Sequence, residues 1–378
     1  MLENINFFND PLLVQSMRPL SYYRPLHQLW LGTSAIQDKW GKFNQLSSTS
    51  ATHVTILGSL LPDDQIAEAI SQLPDNVQLV QGQQVLAYTS SSANKDFAPS
   101  SSRKSIEYSG KARWIQHPED LLVHQQLSLV QEIEPAPFDI EKYQSLGNII
   151  LSPENCFIHA SAQLKGCMMD ASSGPIYIGE EVNLQMGTII QGPAAILKGA
   201  TSNLGAKIRP NTTIGPGCKV GGEINHTIFF PYSNKAHEGY IGSSVIGSHS
   251  NLGALTSNSN IKNDLKPVSI FDYPTSSYRN TGLSALGLIM GDFVTTGIHS
   301  KFNTGSMIGC HCNISSQSFL PKFIPSFTWG EYPNIHTYKM EKAREVAQQW
   351  MHLKHQAIPE NLAAVMEEIW KEEASFRT

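Results

Sequence analysis

Charge is scarce in this chain. Asp, Glu, Lys and Arg make up 16% of its 378 residues, and the formal net charge is −5. A protein that neutralises nucleic-acid phosphates or an anionic membrane needs a surplus of Lys and Arg, so neither is an expected partner. Cysteine is scarce too. The five present, Cys156, Cys167, Cys218, Cys310 and Cys312, include no C-x-x-C pair and form no disulfide framework. Cys310-His311-Cys312 has the residue types of a metal site, yet alternate residues on a strand point to opposite faces. The cysteines therefore read as small coil residues in a reducing compartment, with no metal expected. Long apolar runs are missing: none approaches the roughly 18 residues of a membrane span. Glu3 and Asn4 arrive before any secretory apolar core, so a cytoplasmic location is expected.

What is present is a beat. Ile246, Leu252 and Asn258 fall six residues apart, with Gly247 and Gly253 directly after the first two. The same spacing joins Ile158 to Leu164, Ile178 to Leu184, Ile190 and Ile196, and Ile208 to Ile214 and Val220. One aliphatic per six residues, with small residues at tight corners, predicts a left-handed parallel β-helix of hexapeptide coils. Its expected span is 147–330. After Ile261 the beat loosens, and L-I-M-G-D-F and S-M-I-G-C-H read as later coils. A last coil needs covering, and residues 331–378 supply a helical cap. Two amphipathic helices are expected there, over Tyr338–His355 and Pro359–Glu373.

Residues 1–146 alternate strand and helix patterns and predict a small α/β domain. I-N-F-F, H-V-T-I-L and the pair V-Q-L-V-Q and Q-V-L-A-Y-T read as strands. Pro62 to Leu73 and the stretch after Pro118 read as helices. Pro25 is placed to open another, with Leu26, Leu29 and Trp30 on one face, and Thr33 and Ser34 are candidate caps for a helix carrying Ile36, Lys39 and Trp40. Residues 47–50 read as a loop, and the polar stretch 89–105 as a mobile segment.

His237 is the candidate chemical centre. It lies between Lys235 and Glu238, where the beat is disturbed, and an imidazole accepts a proton near neutral pH. Tyr240, Asn251 and Asn258 share the stretch. Asn258 puts an amide where an aliphatic is due, which is costly unless hydrogen bonds are supplied.

The run K-A-H-x-x-Y-I-G, then N-L-G-A, then T-S-N, resembles the acyltransferase half of the bifunctional N-acetylglucosamine-1-phosphate uridylyltransferase / glucosamine-1-phosphate acetyltransferase family. R-P-N-T-T-I-G is similar to that family's R-P-G-T-x-[IL]-G. Nearly the whole chain resembles the alternative, Bacteroidetes-type form, through Pro19 to Trp40, S-N-K-A-H, G-L-I-M-G-D, F-N-T-G and K-F-I-P-S-F-T-W-G. The resemblance implies His237 as general base for an amino-sugar 1-phosphate attacking acetyl-CoA. It implies Arg209 on the phosphate, Tyr240 and Asn251 on the sugar, Asn258 on the amine or oxyanion, and Lys262 on the CoA phosphates. A homotrimer is implied as well. The family's lysine between the Arg-Pro and Lys-Ala motifs is absent here, with Asn225 to Thr227 in its place, and the spacing within K-A-H is one residue shorter.

The N-terminal domain lacks the G-x-G-[TS]-[RK]-M loop and the later Pro-Lys of nucleotidyltransferases. Arg18, Arg24 and Lys39 are its candidate cations for UTP or another nucleoside triphosphate, with Mg²⁺ if the domain is active. Three other readings stand beside this one. The chain is a sugar nucleotidyltransferase with a structural β-helix, a zinc enzyme using His226, His237 and His249, or a non-enzymatic trimeric scaffold binding a sugar nucleotide.

Overall fold

The computed structural model describes residues 5–43, 53–90 and 103–377. The loop expected at 47–50 and residues 91–102 of the polar stretch lie outside these. The chain forms two compact units: Met1–Met17, Arg24–Trp30 and Ser34–His117 make the first, and Arg18–Tyr23, Leu31–Thr33 and Pro118–Thr378 the second.

The first unit is α/β. Its sheet has the order Ile5–Phe8, His53–Leu57, Gln84–Ser90, Val77–Gln81, Lys104–Glu107, with parallel pairs at both edges and an antiparallel hairpin inside. Helix α1 (Pro11–Ser16) starts where Asp10 accepts the Leu12 N–H at 2.9 Å. Helix α2 spans Ile36–Trp40 and α3 spans Asp64–Ser71, the latter capped by Asp63 and burying Ile66, Ala67 and Ile70. The stretch after Pro25 departs from expectation. It makes one 3₁₀ turn, Leu26–Gln28, because the Leu26 N–H goes to Asn9 Oδ1 (2.8 Å) and the Ile36 N–H returns to the Leu29 carbonyl (3.0 Å). The N-cap of α2 is Ala35, not Thr33 or Ser34.

The second unit is built on the β-helix. Two helices precede it, α4 (Asp120–Glu132) and α5 (Ile140–Ser145), and two follow it, α6 (Met340–Leu353) and α7 (Leu362–Glu372). Each coil lays one short strand on each of three faces, in parallel register with the coil before. The first face runs through Ile149–Leu151, Met168–Asp170, Ile189–Gln191, Lys207–Ile208, Glu223 and Tyr240; the second begins at Cys156–Ile158, the third at Gln163–Leu164. The predicted aliphatics, Ile158, Leu164, Ile178, Leu184, Ile190, Ile196, Ile208, Ile214, Val220, Ile246 and Leu252, are all buried in one core. The beat loosens because residues 259–287 leave the coil as an insertion carrying the hairpin Ser269–Asp272/Ser277–Asn280. Coils resume at Leu288–Met290 and Ser306–Ile308.

The first coil is closed by α5, and the C-terminal helices pack along a corner of the stack. Asn148 donates to the carbonyls of Tyr143 (2.7 Å) and Leu164 (3.0 Å), tying α5 to the first coil. Along one corner Tyr232, His249, Phe293, His311 and Phe327 all take positive φ, and their rings follow one another at centroid spacings of 5.2, 5.1, 5.0 and 5.0 Å. Ala343, Ala347, Met351, Leu362, Met366 and Ile369 of α6 and α7 pack on Phe293 and Phe327. All five cysteines are buried and free. Burial pushes the Cys312 thiol up to about 12, so Cys310-His311-Cys312 is inert packing.

Candidate active site at a corner of the β-helix

Glycine makes room for the candidate site. Only Gly221 and Gly222 join the strand Lys219–Val220 to the strand that opens at Glu223. In the next coil Ala236, His237, Glu238 and Gly239 make the same connection between Asn234–Lys235 and Tyr240. The longer turn lies directly on the shorter. A Cβ on Gly221 would stand 2.2 Å from the Ala236 carbonyl oxygen, and one on Gly222 2.6 Å from that of Gly239 and 3.0 Å from that of His237. Gly222 also holds φ +70, which an L side chain rarely adopts. His237 is exposed on this turn.

Beside the turn, the outward row of the first face changes character. Ile149, Met168 and Ile189 are exposed at 56%, 41% and 37%, and the row continues as Lys207, Glu223 and Tyr240. Arg209 reaches Glu223 at 3.2 Å in a pair whose side chains are 52% and 35% exposed. Such a pair is weak and can open for a phosphate. The Tyr240 hydroxyl receives a hydrogen bond from Asn260 Nδ2 (3.3 Å), which also donates to Ser243 Oγ (3.2 Å). Arg209, Glu223, Tyr240 and Asn260 thus line one polar strip next to the His237 turn. Glu223 and Ser243 were not singled out in the sequence, whereas Asn260 belongs to the N-S-N run whose amides interrupt the beat. The six-residue beat names inward positions, and Glu223 lies in the outward row while Ser243 sits at a corner with positive φ.

Three predicted residues lie off this strip. Asn258 is 6% exposed and bonds backbone: its Oδ1 accepts the Gly242 N–H (2.9 Å), and its Nδ2 donates to the carbonyls of Gly242 (2.9 Å) and Ser259 (3.1 Å). The partners its buried amide requires come from the adjacent coil, which makes it a brace rather than a group facing the amine. Asn251 lies on the third face, in register with Asn234 and Thr295. Lys262 stands in the insertion, 3.3 Å from Asp264.

The cations expected for a nucleotide are engaged. Arg18, in the second unit, pairs with Glu372 of α7 (Nη2–Oε1 2.9 Å) and covers the Tyr22 ring at 4.3 Å. Lys39, in the first, is 8% exposed and donates to Ser34 Oγ at 3.4 Å, and Arg24 belongs to that unit as well. Among the described residues no group of three or more His, Cys, Asp or Glu side chains is placed to hold a metal. The three histidines of the zinc reading are dispersed. The His226 ring bonds the Leu122 carbonyl (3.0 Å), His249 lies in the aromatic corner, and His237 occupies a different one.

Residues 5–136 match the family model described as sugar nucleotidyl transferase. The chain is 34% identical over 126 residues to the bifunctional protein GlmU of Methanocaldococcus jannaschii, which covers 33% of this chain and 30% of that protein. It is also 29% identical over 164 residues to the uncharacterized acetyltransferase YaiX of Escherichia coli O6:K15:H31, covering 43% of itself and 70% of that protein. It spans about 30% of the length of the GlmU proteins it matches. A solved Arabidopsis UDP-N-acetylglucosamine acyltransferase aligns with a TM-score of 0.31 at 13% identity, over 61% of this chain and 90% of that one, a likeness too slight to carry an argument. Among the described residues no helix is long and apolar enough to cross a membrane.

Proposed function

We propose that the chain is an acetyl-CoA-dependent N-acetyltransferase acting on an amino-sugar 1-phosphate, with glucosamine-1-phosphate as the first candidate, joined to a sugar-1-phosphate nucleotidyltransferase unit. The observation that carries it is His237 on a turn seated over Gly221 and Gly222, with the Arg209–Glu223–Tyr240–Asn260 strip alongside. In this reading the His237 imidazole takes a proton from the amine as its nitrogen attacks the thioester carbonyl. The C–N bond forms, the C–S bond breaks, and His237 returns the proton to the departing CoA thiolate. Arg209 exchanges Glu223 for the sugar phosphate, as its planar fork suits. Tyr240, oriented by Asn260, and Asn251 contact the sugar. Asn258 braces Gly242 from inside the coil, and Lys262 meets the CoA phosphates.

The similarity of residues 5–136 to sugar nucleotidyl transferases supports the second activity, with Arg24 and Lys39 as its candidate cations. Mg²⁺ commonly takes one or two carboxylates plus substrate phosphates, so it is assigned to the nucleotide complex and to no residue here. A homotrimer is supported by the corner row on which His237 lies, where Met186, Leu204, Leu255 and Ile298 stand 65%, 68%, 43% and 69% exposed.

The test is thiol release from acetyl-CoA with glucosamine-1-phosphate. His237→Ala is expected to lower kcat by about a hundredfold or more, the usual worth of a general base. Turnover in the variant equal to the native protein's sinks the assignment. Pyrophosphate release from UTP with N-acetylglucosamine-1-phosphate tests the other unit separately.

A further inference from the structure

The inward row of the third face of the β-helix, mostly aliphatic, carries one charged side chain. Leu164, Leu184, Ser202, Val220 and Leu252 follow that row, each at 0 or 1% exposure. Between Val220 and Leu252 the residue is Lys235, in register with Val220 and itself 0% exposed. An ammonium inside an aliphatic stack is costly, and an aliphatic would serve the stack better.

The Lys235 side chain bends to the turn that follows it. Nζ donates to the carbonyl of His237 and, at 2.9 Å, to that of Glu238. Asn203 grips the same turn from two coils earlier, its Nδ2 donating to the Ala236 carbonyl at 2.6 Å. It reaches past the short Gly221–Gly222 connection to do so. Three successive carbonyls, at Ala236, His237 and Glu238, are therefore held by side-chain donors. With those peptide planes fixed, the backbone that carries the imidazole is fixed too.

We propose that Lys235 is a positioning residue, a buried cation that locks the turn so that His237 stands where it can act. The inference rests on His237 being the base of the proposed reaction. Burial lowers the ammonium from its usual 10.5 to about 8, the Glu238 carboxylate opposing, as a charge held at some expense would show.

The experiment compares the full-length native protein with Lys235→Met, His237→Ala and the double variant. Met fills the core without charge, so thermal stability is expected to be kept or raised. Backbone amide exchange over 236–239, read by mass spectrometry, is expected to quicken by about tenfold or more. With acetyl-CoA and glucosamine-1-phosphate, kcat is expected to fall between about tenfold and a hundredfold while KM stays within about twofold. In the His237→Ala background the Lys235 change is expected to cost nothing further, because a residue acting through another has no effect once that other is gone. Asn203→Ala, which removes one grip from a half-buried position, serves if Lys235→Met does not fold, with quickened exchange and lowered kcat expected in the same direction. Unchanged exchange in the turn overturns the proposal whatever the activity. So does full kcat in Lys235→Met when His237→Ala has lost its own, or an equal further loss in the double variant. If the native protein releases no thiol, the acyl-transfer reading fails by itself, and the exchange rates still decide whether Lys235 holds the turn.

Discussion

His311 shows how burial sets the behaviour of one side chain. It lies between the Phe293 and Phe327 rings, 1% exposed, and its Nε2 bonds the Tyr23 hydroxyl. Burial lowers its pKa from 6.5 to about 3, so the folded chain keeps the ring neutral. Between those two values the unfolded chain binds a proton that the folded chain refuses. The stability His311 lends at neutral pH is therefore lost as pH falls from about 6.5 toward 3. Buried Glu373, whose carboxyl is pushed up by burial, opposes this, since protonation favours its folded form. His311→Phe keeps the ring stack and removes the titration. Urea unfolding at pH 7 and pH 4.5 should show a smaller acid loss in the variant, by on the order of a few kcal/mol; an equal loss would refute the assignment. Single residues were unevenly legible in the sequence. His237 stood out because its neighbours carry a motif. Lys235 is part of that motif too, but its inward direction depends on the strand register, and its acceptors depend on how the next turn folds.

At the scale of the coil, the two-residue connection at Gly221 and Gly222 decides where the His237 turn sits. Gly222→Ala would combine a φ of +70 with a Cβ only 2.6 Å from the Gly239 oxygen, so the turn above must move. Gly199 has a similar φ, +66, but nothing lies within 4 Å of its would-be Cβ. Thermal unfolding should therefore show Gly199→Ala losing about 1 kcal/mol of backbone strain alone, and Gly222→Ala more, up to about 3 kcal/mol. Acetyl transfer should fall only in Gly222→Ala. Equal effects would mean that the turn does not rest on this glycine. The coils were legible because each buries one aliphatic every six residues, a period that survives any surface sequence. The insertion at 259–287 was not, since its hairpin has no such period and pairs Phe271 with Phe323 (rings 3.6 Å apart), far along the chain. Asn258 was legible as an amide needing partners. Its partner Gly242 belongs to the previous coil and could not be named from local sequence.

For the molecule as a whole, the C-terminal helices were readable from apolar residues three and four apart, and they form within the expected ranges. What they cover was not readable. The aromatic corner assembles residues from five coils, all with positive φ where glycine or asparagine is the usual choice. Removing residues 340–378 would bare Phe293 and Phe327. Light scattering and a melting curve should show an aggregating chain with a clearly lower midpoint, whereas a soluble truncation with an unchanged midpoint would mean that the stack needs no cover.

In a stack whose coils touch only the coil before and the coil after, a pulling force peels material from one end, coil by coil. The Asn203 side chain breaks that rule by bonding Ala236 across the intervening connection. Three consecutive coils thereby share one tie, worth about 1 kcal/mol, so at the corner that carries His237 they are expected to part together rather than one at a time.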